Sequence, residues 1–75
     1  MKIDAEVKIV KSTNEETLKT GSVIEVTIDM DYIDDYDEVI NSIENQIYDD
    51  YGISLWHREH FIVLNETEIC DEIFS

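Results

Sequence analysis

Apolar and polar residues alternate strictly at the N-terminus: Ile3, Ala5, Val7 and Ile9 are interleaved with Lys2, Asp4, Glu6 and Lys8. A period of two predicts a strand with one buried face. Ile24, Val26, Ile28 and Met30 repeat the pattern against Val23, Glu25, Thr27 and Asp29. The two runs predict an antiparallel pair. Between them Ser12 to Gly21 is polar and turn-rich, with the turn expected at Asn14-Glu15 and Thr17 to Thr20 leading into the second strand.

The period then changes. Tyr36, Val39, Ile40, Ile43, Ile47 and Tyr51 fall on one stripe of a helix running from Asp35 to Tyr51. Asp35-x-x-Glu38 reads as a capping box, acidic residues crowd the first turn, and Gly52 is placed to stop the helix. Asp34, Asp37, Glu38, Glu44 and Asp49 lie on the side away from the stripe, with Asn41 and Asn45 among them. Ile53 to Leu64 is β-like, either one strand or a hairpin whose loop is His57-Arg58-Glu59-His60. Asn65-Glu-Thr-Glu68 is a second capping-box pattern, and Ile69, Cys70, Ile73 and Phe74 continue it as a short helix. The order β-β-α-β(-β)-α predicts an α+β domain over residues 1–75: a small antiparallel sheet packed by one long acidic amphipathic helix and a short C-terminal helix.

Charge changes the picture. The formal net charge is −14 on 75 residues. Lys2, Lys8, Lys11 and Lys19 cancel Asp4, Glu6, Glu15 and Glu16, so the other fifteen of the nineteen acids follow residue 20 and meet only Arg58. Disorder is the usual outcome of such charge in an apolar-poor chain, but 43% of residues are apolar and they are periodic, so a folded domain is expected. The charge repels nucleic acid and acidic membranes and favours partners built to hold phosphate. Cys70 is the only cysteine and allows no intrachain disulfide. The N-terminus lacks the apolar core of a signal peptide, and no apolar run approaches membrane-spanning length. A cytoplasmic protein is expected.

Six carboxylates fall within ten residues: Asp29, Asp31, Asp34, Asp35, Asp37 and Glu38. A calcium loop beginning at Asp29 would place Ile33 fifth, Asp34 sixth and Ile40 twelfth, against a required glycine at six and glutamate at twelve. Acid–base catalysis needs two carboxyls in contrasting environments within a pocket, for which a chain this short has little room, so no enzymatic activity is expected. His57-x-x-His60 lacks a second pair of metal ligands and reads as a polar turn; Cys70 reads as a buried thiol and Trp56 as a core or interface aromatic. Acyl carrier proteins are also small and acidic, but their Asp-Ser-Leu at a helix start is missing: here Ile53-Ser54-Leu55 lies in a β-like stretch. Neither a cofactor nor a metal is expected.

An anionic surface is the remaining reading. Solubility needs a net charge of roughly 2–8 in magnitude for a small domain, and −14 exceeds that at the expense of self-repulsion. Carboxylates one helical turn apart repeat at ~5–6 Å, comparable with the about 7 Å between neighbouring phosphates of one DNA strand. The residues concerned are Asp29, Asp31, Asp34, Asp35, Asp37 and Glu38, then Glu44, Asp49 and Asp50, and the acidic tail Glu66, Glu68, Asp71 and Glu72. In this distribution the chain resembles the phage-encoded acidic DNA-mimic inhibitors, a class sharing size and charge rather than a motif. The resemblance implies a non-enzymatic inhibitor competing with DNA for a basic host protein: a nucleoid HU-type protein, a CRISPR nuclease, a restriction enzyme or a uracil-DNA glycosylase. A homodimer is compatible with it. The competing readings are an acidic interaction regulator of the antitoxin or polymerase-binding kind, docking through the apolar anchors Tyr32, Tyr48 and Trp56, and a divalent-metal-binding domain.

Overall fold

The structure, a computed structural model, describes residues 2–31 and 35–74, and their side chains except those of 72–74. The elements are β1 (Lys2–Ile9), β2 (Val23–Asp29), α1 (Tyr36–Tyr51), β3 (Phe61–Val63) and α2 (Glu66–Phe74). They form the expected α+β arrangement. The sheet order is β2-β1-β3 with both pairings antiparallel, so the N-terminal strand is central. β2 and β3 therefore run parallel on either side of β1, and α1 is the crossover between them, a split β-α-β.

The period-two pattern sets which face is covered. Ile3, Ala5, Val7 and Ile9 of β1 join Val26, Ile28, Phe61 and Val63 in a core closed from above by Val39, Ile40, Ile43 and Ile47 of α1. The opposite face of the sheet is open and displays Lys2, Asp4, Glu6 and Lys8 beside Val23, Glu25, Thr27 and Asp29. α1 begins where Asp35 accepts a hydrogen bond from the Glu38 N–H (3.0 Å) and ends at Gly52, which takes a left-handed φ of 72°.

One expectation is refined and two need correction. The β1–β2 connection does turn at Asn14-Glu15, but that turn does not join the strand ends directly. Gly21, at φ 93°, and Ser22 together face Ile9: Gly21 N–H donates to the Ile9 carbonyl and Ile9 N–H to the Ser22 carbonyl, a bulge that needs glycine's freedom. Beyond it the loop closes on itself, with Thr17 and Leu18 N–H on the Asn14 carbonyl and Leu18 delivered into the core. Second, Ile53 to Leu64 is neither a hairpin nor one long strand. Ile53 and Leu55 are buried in extended coil, residues 58–60 turn with a single bridge from His57 to Phe61, and the strand paired with β1 is Phe61–Val63. Third, Asn65 does not close a capping box. Its side chain turns to β1, where Oδ1 accepts from Glu6 N–H and Nδ2 donates to the Asp4 carbonyl, each at 2.9 Å. α2 packs beside β1 where β3 has ended, burying Ile69.

Candidate protein-docking surface

Charge is arranged on two sides of the molecule. On the outer side of α1, Asp37 and Asp49 are exposed and Glu38 is half-buried, while Asn41 and Asn45 make the middle of the stripe neutral. Asp50 is exposed and accepts a hydrogen bond from Gln46 (2.9 Å), and Asp35 is occupied as the helix cap. Asp29 and Asp31 are exposed at the end of β2. In α2, Glu68 and Asp71 are exposed and Glu66 is half-buried. Asp34, Tyr32 and the Glu72 side chain lie outside the described residues.

The open face of the sheet, whose pairing sequence order conceals, carries Asp4, Glu6, Glu25 and Asp29 together with Lys8 and with Lys2, which stands opposite Asp29. Glu6 of β1 stands directly opposite Glu25 of β2, and Asp4 opposite Thr27, whose hydroxyl donates to it (2.8 Å). Residues two apart on a strand are separated by ~6.6–6.8 Å, so Asp4 and Glu6 come closer to phosphate spacing than carboxylates one helical turn apart. The N-terminal segment is neutral in sequence, yet its acids join those of β2. The alternation predicts which residues point outward; only the register reveals which meet.

Some of this charge works against the fold. The last turn of α1 holds Asp49 and Asp50 and no basic residue, at the negative end of the helix dipole. Glu6 and Glu25 repel each other across the ladder.

Glu44 behaves differently from the other helix acids. It is half-buried, and its Oε2 accepts the His57 N–H at 3.0 Å, tying α1 to the 56–60 turn. His60 holds the same turn from inside: Trp56 N–H donates to His60 Nδ1 (3.0 Å), and His60 N–H donates to the Trp56 carbonyl (2.9 Å). The His57 ring rests against Phe61 with centroids 5.5 Å apart. Both histidines thus shape a polar turn. Among the described residues, no three His, Cys, Asp or Glu side chains come together as a metal-holding group.

The turn presents Trp56 outward, because Leu55 takes the core position beside it. Trp56 is 58% exposed and Tyr48, one turn beyond Glu44 on α1, is 57% exposed. They line one groove of about 220 Å³, with Glu44, Asn45, Ser54 and Leu55. Two of the three proposed anchors therefore meet at one place, which their eight-residue separation does not foretell. At about 220 Å³ the groove is smaller than small-molecule sites of ~300–1,000 Å³.

Cys70 is half-buried rather than buried. The Tyr36 hydroxyl is buried with no hydrogen-bond partner; Glu66 lies near it without the geometry for a bond. Burial foremost, then the neighbouring Glu66 and Cys70 side chains, pushes the Tyr36 phenol above its ordinary pKa, and Arg58 opposes this. Among the described residues no helix is long and apolar enough to cross a membrane. Comparison with family models, curated proteins and solved structures finds no match to this chain.

Proposed function

We propose that this protein is a non-enzymatic DNA mimic that occupies the basic DNA-binding surface of another protein and competes with DNA there. The observation that carries the reading is charge held against the fold's own interest. Asp49 and Asp50 sit at the wrong end of a helix dipole, and Glu6 opposes Glu25, where neutral residues would stabilise the free domain. Such placement is explained when the charges are satisfied by a partner's lysines and arginines, with affinity supplied largely by counterion release. The open strand face supplies carboxylates near phosphate spacing, and the outer side of α1 adds Asp37 and Asp49 towards its two ends. An HU-type protein, a CRISPR nuclease, a restriction enzyme and a uracil-DNA glycosylase all offer such a cleft.

The experiment is capture from host lysate at low salt on the immobilised protein, followed by elution with double-stranded DNA. A DNA-binding protein should be retained, be released by DNA, and lose affinity steeply as salt rises. The combined variant Glu25→Gln, Asp37→Asn, Asp49→Asn should bind it more weakly while folding at least as stably. Binding that persists in high salt and excess DNA favours instead an interaction regulator of the antitoxin or polymerase-binding kind. The exposed Tyr48–Trp56 groove is the observation on that side.

A further inference from the structure

The groove between Tyr48 and Trp56 carries an inference of its own. Two aromatic side chains, Tyr48 and Trp56, are more than half exposed and flank one depression without stacking on each other. The platform is preorganised. Trp56 is fixed through both its backbone groups by His60, and Glu44, by accepting the His57 N–H, sets the turn at a defined distance from α1. Glu44 lines the groove and contributes negative charge, while Asn45 and Ser54 add neutral polar edges. Arg58, the single cation after residue 20, is exposed on the turn two residues from Trp56 and is not among the residues that line the groove.

A groove lined by two aromatic side chains and a carboxylate is complementary to a flat cation. The aromatic quadrupole attracts a guanidinium or ammonium held over the ring, most strongly over tryptophan, and a guanidinium can also donate to the carboxylate. We propose that this groove is an arginine-binding slot, receiving a guanidinium side chain from the basic partner protein and serving as the anchor of the complex. The occupant follows from charge complementarity: an aromatic, carboxylate-walled groove on a protein of net charge −14 selects a cation over an apolar or anionic group. Arginine is favoured over lysine because its planar, weakly hydrated head stacks on rings and bridges to Glu44. The rest of the anionic surface then steers the approach, while the slot fixes register. This inference rests on the proposed function for its biological setting but can fail separately from it.

The test uses the full chain and a capped Gly-Arg repeat peptide, with a citrulline-for-arginine peptide of the same length as neutral isostere. Trp56 is the only tryptophan, so its emission reports on the slot directly. The arginine peptide should change Trp56 emission and move the Tyr48 and Trp56 ring resonances, and the citrulline peptide should bind at least about tenfold more weakly. Tyr48→Ala, at a mostly exposed position, should keep the backbone spectrum and weaken peptide binding about five- to tenfold, as expected for loss of one cation–π wall. Glu25→Gln, on the far face of the sheet, should change it by no more than about twofold, a screened long-range effect. Equal binding of the two peptides, an unchanged affinity in Tyr48→Ala, shifts confined to the open sheet face, or no binding at all would each overturn the slot. If a captured protein is displaced by DNA yet binds Tyr48→Ala at full strength, the slot is wrong and mimicry stands. If the peptide occupies the slot but DNA displaces nothing captured, the slot stands and mimicry falls.

Discussion

The side chain of Asn65 takes the place of a strand peptide against Glu6. β3 turns away after Leu64, whose N–H reaches the Glu6 carbonyl at 2.7 Å. The Asn65 carboxamide then supplies the next acceptor to Glu6 N–H and the next donor to the Asp4 carbonyl, both at 2.9 Å. A three-residue strand is thereby extended by one amide, and the chain is free to begin α2.

Replacing Asn65 by alanine strands one donor and one acceptor of the central strand. Water reaches these exposed groups, so the expected loss is about 1–2 kcal/mol, at the lower end for unsatisfied polar groups. Denaturant unfolding should report it. Hydrogen exchange should show Glu6 N–H losing protection first. Asn65→Asp keeps the acceptor but turns the donor into a carboxylate facing the Asp4 carbonyl, and should be at least as destabilising.

Reversing one member of the opposed pair should help the fold and harm the proposed function. Glu25→Lys converts a repulsive cross-strand pair with Glu6 into an attractive one, with an expected gain of about 0.5–1 kcal/mol. Urea titrations at low and molar salt should show the gain shrinking as salt rises. The same variant should bind the captured partner more weakly.

Tyr36→Phe removes a buried hydroxyl that no partner satisfies, so stability should be unchanged or rise by about 1 kcal/mol. Its pH signature is more telling. The folded-state phenol pKa is raised by burial and by Glu66, so the folded state retains its proton more strongly than the unfolded chain. The associated stability is complete below the ordinary tyrosine value of about 10 and is lost as pH rises toward the raised folded value. Unfolding curves in alkaline buffer should fall more steeply for the parent protein than for Tyr36→Phe.

In the β1–β2 loop, Glu15 accepts from the Thr20 hydroxyl at 2.6 Å and the Thr20 N–H at 2.9 Å. These bonds, with Lys19 adding a smaller effect, hold its carboxyl below the ordinary glutamate value. The tether is therefore fully present above about pH 4.3 and is lost as pH falls through the depressed folded value. An NMR titration following the Thr20 amide should show that transition. Glu15→Gln keeps an acceptor but abolishes the pH dependence, and a Thr20 amide that still titrates in the variant would show that another group is responsible.

Local periodicity determined much of the molecule. Alternation at Lys2–Ile9 and Val23–Asp29 settled two strands and their buried faces, because strand side chains alternate whatever else the chain does. The 3.6-residue stripe, Asp35 and Gly52 bounded α1 in the same way. Composition settled the excess of acid. What the tertiary structure decided lay wherever a residue's role depends on a distant partner. Asn65 has the chemistry of a helix cap, but an unpaired stretch of β1 nearby gave its amide two better-placed partners. Residues 53–60 read as strand because burial of Ile53 and Leu55 imitates strand alternation, while His57 is bonded to Glu44 and the chain turns at 58–60, leaving a single bridge from His57 to Phe61. Glu6 meets Glu25, and Tyr48 and Trp56 come to line one groove, through register and packing alone: sequence can place a side chain on a face, but only the fold sets what lies across from it.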